Sequence, residues 1–206
     1  MKTILAVETS APFLSVALGN RKGKISEAIS KKPLAHSENI ILFIRQLLKK
    51  EKLSLSDIDV FAIDRGPGSF TGLRIGFSLL KGFLAVRKRP CLGALSLDII
   101  AAKIRLPEKS RLGVVADARR ELIYSRFYRR RGEEWMPEAK LELLSLSELT
   151  SQVTNGTVLA GESLGRCVGA YCNTPLPPIK PVFPSARILV EWFYEKNPRL
   201  SPLKTS

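Results

Sequence analysis

The chain has 206 residues, 45% of them hydrophobic and 25% charged, with 33 Lys and Arg against 19 Asp and Glu for a formal net charge of +14. This composition predicts a soluble globular protein of one large domain or two small ones. No apolar run approaches the ~20 residues of a membrane span, and the lone histidine, His36, argues against a histidine-built metal site and a Ser or Cys triad.

Three cysteines, Cys91, Cys167 and Cys172, lack metal-type spacing and fit a reducing, cytoplasmic setting in which each thiol is a small packing residue. The basic excess favours polyanionic partners without identifying one. Near the N-terminus, Glu8 interrupts what would be the apolar region of a signal peptide, so this segment reads as structure.

Residues 3–7, 15–18 and 24–29 read as three strands, with Gly19, Asn20 and Gly23 supplying turn chemistry between the last two. They form an antiparallel meander, the first strand ending at the polar Glu8-Thr9-Ser10. Residues 36–52 shift to helical period. Ile40, Phe43, Ile44, Leu47 and Leu48 define an apolar stripe that Ile41 and Leu42 widen, with Ser37 as the expected N-cap and lysines 49, 50 and 52 at the C-terminal end. A face this wide is either deeply buried or covered by a partner.

Val60-Phe61-Ala62-Ile63 leads into Asp64-Arg65-Gly66-Pro67-Gly68-Ser69-Phe70-Thr71-Gly72. This reads as strand, tight loop and helix, with Ser69 or Thr71 as the cap. A helix start flanked by Arg65 and Arg74 can hold an anion, although many such loops bind nothing. The helix runs to about residue 87 with Leu73, Phe77, Leu80 and Leu84 on one face. Its small residues Gly72, Gly76, Ser78 and Gly82 would let another helix approach closely. A strand at 91–95 and a helix at 97–104 complete a lobe of residues 1–104.

The second lobe, 105–206, is expected to hold a hairpin of strands 112–116 and 122–128, a strand at 140–144, a helix at 147–153 and a strand at 157–160. A proline-rich connector (Pro175, Pro177, Pro178, Pro181), a helix from Pro184 to Tyr194 and a loose tail follow. The predicted class is α/β.

A three-strand meander followed by alternating helices and strands is the order of ribonuclease H-like and actin-like ATPase folds. Glu8, Glu38 and Asp64 fall roughly where a ribonuclease H-like nuclease holds two metals, which defines an alternative, a stand-alone nuclease or ATPase. The turn at Glu8–Pro12 has no glycine, and the loop at 66–72 lacks a P-loop's Gly-Lys-[Ser/Thr] ending, both of which weigh against ATP hydrolysis. Residues 119–131 interleave Arg119, Arg120, Arg126, Arg129, Arg130 and Arg131 with Tyr124, Phe127 and Tyr128. This mixture suits phosphate contact and base stacking, but strand spacing favours a strand with aromatics inward and arginines outward, and the two coexist if those arginines line a composite surface.

With these residues assembled, the chain resembles the TsaB (YeaZ-like) family. The resemblance rests on ILAVETS and SVAL within 4–18, HSE at 36–38, RGPGSFTGLRIG at 65–76, DARR with Tyr124 in 117–124, LAGESLG at 159–165 and the PSA before the last helix. It implies an actin-like fold of two ribonuclease H-like lobes, the second reduced. It also implies a non-catalytic subunit without the metal-binding histidines of the TsaD catalytic subunit. The function implied is support of threonylcarbamoyl transfer to the adenosine 3′ of the anticodon in tRNAs reading ANN codons.

The partners implied are a TsaD-type subunit, a TsaE-type ATPase and tRNA through the complex, or a second copy when alone. The partner surface implied lies on the first two helices, at Ile40, Phe43, Ile44, Leu47, Leu73, Gly76, Phe77 and Leu80. The signature loop Arg65, Gly66, Pro67, Gly68, Ser69, Phe70, Thr71, Gly72 and Arg74 would meet the partner or ATP/ADP at the shared boundary, with no cofactor held by this chain alone. Arg119, Arg120, Arg126 and Arg129 are the candidate tRNA contacts. Glu8 stands where many members carry aspartate, and Asp64 where a small residue is usual.

Overall fold

A computed structural model describes residues 1–33, 35–161, 179–195 and 200–203. The chain divides into two compact units, Met1–Ser96 with Pro184–Ser206, and Leu97–Phe183.

The first unit is built on β1 (Ile4–Glu8), β2 (Ser15–Gly19), β3 (Ile25–Ile29), β4 (Val60–Asp64) and β5 (Cys91–Ala94), with α1 (His36–Lys50) and α2 (Phe70–Val86). The meander β1-β2-β3 is antiparallel, and β4 joins β1 in parallel with Ile4 opposite Val60 and Val7 opposite Ile63. Beyond β4 lies β5, also parallel. All residues of β1 and β4 are buried, which fits strands covered on both faces and explains their unbroken apolar runs.

On α1, Ile40, Ile44, Leu47 and Leu48 recur at helical spacing and join the core of this unit with Leu5, Val7, Phe61 and Ile63. Full burial of each such side chain stabilises the fold by roughly 1.5–3 kcal/mol. The helix begins differently from expectation. Ala35 is its N-cap and makes no side-chain capping bond, while Ser37 lies exposed inside the first turn. At this end His36 is buried and donates from Nε2 to the carbonyl of Ala11 at 2.9 Å, tying α1 to the chain after β1. At the other end Glu51 accepts from Lys24 (2.8 Å), Ser26 (2.8 Å) and Asn20 (3.0 Å), which pull its carboxyl down to about 2.

The second unit contains α3 (Ser96–Ala102) from Leu97 onward, β6 (Arg111–Arg119), β7 (Leu122–Arg131), β8 (Glu134–Pro137), β9 (Glu142–Ser145), α4 (Leu146–Gln152), β10 (Thr157–Gly161) and β11 (Ile179–Pro181). Its sheet runs β11-β10-β6-β7-β8, with β9 also pairing β7. Leu97, Ile100 and Ile104 cover one face with Tyr128 and Trp135, and Leu149 packs on the other with Ile123 and Phe127. A Ser145/Glu148 capping box starts α4.

Two features differ from the sequence reading of lobes at 1–104 and 105–206. The last helix, α5 (Ala186–Glu195), belongs to the first unit, because Ala186, Leu189, Val190 and Trp192 are buried and the helix packs on β1 and β2. The PSA motif anchors it there. Ser15 Oγ accepts from the Ala186 amide at 2.9 Å, and Ser185 Oγ donates to Glu27 at 2.6 Å. The tail also carries a strand. β12 (Ser201–Pro202) pairs antiparallel with β5, and the Leu203 amide donates to the Cys91 carbonyl at 2.8 Å. Cys91 is buried, and that burial pushes its thiol up to about 11, in keeping with a packing role. Cys167, Cys172, Pro175, Pro177, Pro178 and the end of LAGESLG lie outside the described residues.

Candidate functional site

The carboxyl ends of the parallel neighbours β1 and β4 deliver Glu8 and Asp64 side by side, both 0% exposed. Ser10 lies between them, its Oγ 2.7 Å from Glu8 Oε1 and 2.9 Å from Asp64 Oδ2. Glu8 Oε1 also accepts from the amides of Ser10 (2.6 Å) and Ala11 (3.1 Å). Asp64 Oδ1 accepts from the Gly66 amide at 2.7 Å and Ser96 Oγ at 2.6 Å.

Burial and hydrogen bonding bias the charge of this cluster. The Ser10 hydroxyl has one hydrogen and cannot donate to both carboxyls at once. Burial raises both pKa values, and for Glu8 the nearby Asp64 charge raises it further. The bonds from Ser96, Gly66 and Ser10 pull Asp64 back towards the ionised form. Burial and the Asp64 charge therefore favour the protonated form of Glu8, whose Oε2 is buried without a hydrogen-bond partner. The result is a buried carboxyl pair with serines and backbone amides on Glu8 Oε1 and on both Asp64 oxygens. It acts as a latch joining the turn after β1, the loop after β4 and the start of α3.

The signature loop wraps the same turn. The Ser69 amide donates to the Ser10 carbonyl at 2.7 Å, and Ser69 Oγ caps α2 by accepting from the Gly72 amide at 3.1 Å. Gly66 has φ +82°, a conformation that favours glycine. A Cβ on Gly68 would lie 2.5 Å from the Ser10 carbonyl oxygen, one on Gly72 would overlap the Thr9 carbonyl, and one on Gly76 would meet Thr9 Oγ1 at 2.6 Å. These glycines serve close approach within the chain. Around Gly82 there is open space, so of the three glycines named for partner approach it is the one free of such neighbours.

The structure redistributes the residues expected to face a partner. Ile40, Ile44, Leu47, Gly76 and Leu80 are buried in their own unit, because the stripe at helical spacing turns towards the sheet. Phe43, Leu73 and Phe77 are half-buried. On α1 and at the start of α2 the large apolar side chains left exposed are Ile41 (45%), Leu42 (47%) and Phe70 (66%), two residues that widened the stripe and one from the signature. Arg74 stacks on the Phe70 ring with its guanidinium 4.1 Å from the centroid, and Arg65 and Thr71 are exposed nearby in sequence.

The arginines do not form one free group. Arg126 is ion-paired with Asp98 at 2.8 Å, and Arg129 with Glu138 at 2.9 Å. Arg119 and Arg120 are exposed at the β6–β7 turn, both at positive φ (64° and 50°). Glu38 is exposed in the first turn of α1, so the trio Glu8, Glu38 and Asp64 is not assembled, and the described residues contain no group of three or more metal-type ligands. Sequence reasoning missed Ser10 and Ser96 as site residues. Ser10 stood inside the ETS motif, whereas Ser96 gave no signal before the chain was folded.

The family model for TsaD, tRNA N6-adenosine threonylcarbamoyltransferase, matches residues 29–178. Among curated proteins, the tRNA threonylcarbamoyladenosine biosynthesis protein TsaB of Escherichia coli K12 is 32% identical over 165 residues, covering 77% of this chain and 70% of the relative. The chain belongs to the TsaB (YeaZ-like) family. The Bacillus subtilis TsaB is 28% identical over 162 residues, covering 77% of this chain and 70% of its own. YeaZ from Pseudomonas aeruginosa superposes with a TM-score of 0.80 at 25% identity, across 99% of this chain and 97% of that one. The fold is that of the TsaB family, an actin-like α/β fold of the ribonuclease H-like type, and involvement in tRNA threonylcarbamoyladenosine biosynthesis follows from the kinship.

Proposed function

We propose that this chain is the non-catalytic partner subunit of a cytoplasmic tRNA threonylcarbamoylation complex. It would bind and support a TsaD-type catalytic subunit, alongside a TsaE-type ATPase, in threonylcarbamoyl transfer to the adenosine 3′ of the anticodon in ANN-reading tRNAs. The observation that carries this reading is end-to-end kinship with TsaB proteins combined with a carboxyl cluster closed on itself. Glu8 through Oε1 and Asp64 through both oxygens, the two groups best placed for chemistry, accept from Ser10, Ser96 and backbone amides within the fold, and Glu8 Oε2 is left without a partner. A metal or nucleotide phosphate entering there would first have to break four or more buried bonds, each of which becomes costly when left unmade.

The partner surface in this reading is the exposed apolar group Ile41, Leu42 and Phe70 with the adjoining Arg74, and a bound ATP or ADP would sit at that shared boundary. Large apolar side chains exposed on the two helices of a chain with +14 net charge are natural contact points for another protein. Co-purification with a TsaD-type subunit tests the reading. The wild-type chain should hold the partner through gel filtration, and Leu42→Asp should release it with the circular dichroism spectrum unchanged. Retention of the partner by Leu42→Asp would place the interface elsewhere. Magnesium-dependent cleavage of RNA or ATP turnover by the isolated chain, abolished by Glu8→Gln, would restore the enzyme alternative.

A further inference from the structure

At the opposite end of β4 from the carboxyl cluster, the first unit has a pocket of about 230 Å³ that the function above leaves unused. Ile58 (1% exposed), Phe61 (2%) and Phe83 line it, with Phe61 and Phe83 stacked at 5.8 Å between ring centroids. Leu55 (38% exposed) and Val86 (91%) stand at its mouth. Val86 is the last residue of α2, and a valine this exposed beside an apolar pocket extends the pocket's surface outwards.

Basic side chains predominate at the mouth, with Asp57, its carboxyl held down first by its bonds from Ser54, near enough to Arg87 to be lowered further by its charge. Arg87 and Arg89 line it, and the exposed Lys88 lies between them in sequence. Arg87 spends one N–H on the carbonyl of Ser56 at 3.0 Å, and Arg89 spends its Nε–H on the carbonyl of Ile58 at 3.0 Å. Each guanidinium is thereby held in place with further donors uncommitted, the state in which arginine recognises carboxylates in fork geometry. The acids close by are already engaged. Asp57 accepts from the Ser54 amide and hydroxyl, and Asp59 accepts from the Thr3 amide with Arg21 at 3.7 Å.

We infer that this pocket receives an acidic peptide segment of a partner protein, one large apolar side chain entering between Leu55, Phe83 and Val86 while flanking carboxylates pair with Arg87 and Arg89. The size suits an aromatic or leucine side chain. A second copy of this chain fits badly, because the same basic mouth would be brought to a molecule of net charge +14. A nucleobase fits badly as well. The inner walls are side chains of Ile, Phe, Leu and Val, so its ring nitrogens and carbonyls would lose water without gaining partners.

The test uses the full chain, isotope-labelled for NMR, and four probes. These are a nonapeptide of glutamates around one central phenylalanine, the same peptide with serine for phenylalanine, the same with glutamines for glutamates, and a single-stranded RNA nonamer. The first peptide should shift the resonances of Leu55, Phe83 and Val86 and saturate, and each altered peptide should bind at least tenfold more weakly. Arg87→Glu should abolish the shifts. Val86→Asp, a change at a fully exposed position that leaves the fold intact, should weaken the first peptide at least fivefold. The inference is overturned if the serine peptide binds as well as the phenylalanine peptide, if the pocket resonances stay unmoved at millimolar peptide, or if the RNA moves them more strongly than the first peptide.

Discussion

Two glycines on the same helix should respond oppositely to the same substitution. Replacing an interior helical glycine by alanine stabilises a helix by about 0.5–1 kcal/mol when nothing obstructs the new methyl group. Gly82 meets that condition, since a Cβ there has no neighbour within 4 Å. Gly82→Ala should therefore stabilise by about 0.5–1 kcal/mol. At Gly72 the methyl would overlap the carbonyl oxygen of Thr9, a backbone atom held by the Ser10–Glu8 bonds beside it. Overpacking of this kind costs typically 1–3 kcal/mol, and here the backbone cannot swing aside as a side-chain tip would. Subtracting the intrinsic helix gain leaves Gly72→Ala destabilising by up to about 2.5 kcal/mol, towards the upper end because the obstructing atom is backbone. Urea unfolding followed by circular dichroism measures both. Equal stabilisation by the two substitutions would mean that the signature loop does not rest on the turn after β1, and the account of the loop would fail with it.

On α1, Ile41→Asp should weaken binding of a TsaD-type partner at least tenfold with unfolding unchanged, whereas Leu47→Asp, at 4% exposure, should unfold the first unit, as parallel pull-down and denaturation would show. The latch predicts a pH dependence. Because Glu8 and Asp64 have pKa values raised in the folded state, their contribution is complete below the ordinary carboxylate range and declines as pH rises through the raised values. Unfolding free energy measured between pH 5 and pH 9 should fall for the wild type, and Glu8→Gln should flatten that fall; an unchanged slope would remove the raised Glu8 pKa from the account. Glu51 has the opposite sign, its carboxyl being lowered to about 2, so its contribution is present above the ordinary value and lost as pH falls towards 2. Acid unfolding of Glu51→Gln should start from a lower stability and show a shallower acid limb than the wild type.

Much of the first unit was legible because its signals are local. Unbroken apolar runs mark the buried strands β1 and β4, and the 3.6-residue period marks α1 and α2. Ser69, a candidate cap on sequence alone, caps α2. What escaped depended on contacts distant in sequence. Apolar spacing defines a stripe, and only the packed sheet determines that Ile40 and Leu47 turn inward while Ile41 and Leu42 remain outside. The glycines of the signature gave correct evidence of close approach, but the approaching group is the chain's own turn at Thr9 and Ser10. Arg126 looked free for nucleic acid until α3 brought Asp98 beside it. The short strands β8, β11 and β12 have two to four residues each, too few for a period to appear, and α5 joins the first unit through Glu27, which lies 158 positions before Ser185.

The central claim is that this chain is required by a modification reaction whose chemistry it does not perform. Reconstitution with a TsaD-type subunit, a TsaE-type ATPase, threonylcarbamoyl-adenylate and an ANN-reading tRNA, scored by mass spectrometry of the digested nucleosides, addresses it directly. The account predicts modification with the wild-type chain, modification retained with Glu8→Gln, and little or none when the chain is omitted or carries Ile41→Asp. Full modification in its absence, or loss of modification with a folded Glu8→Gln variant that still binds its partner, would contradict it.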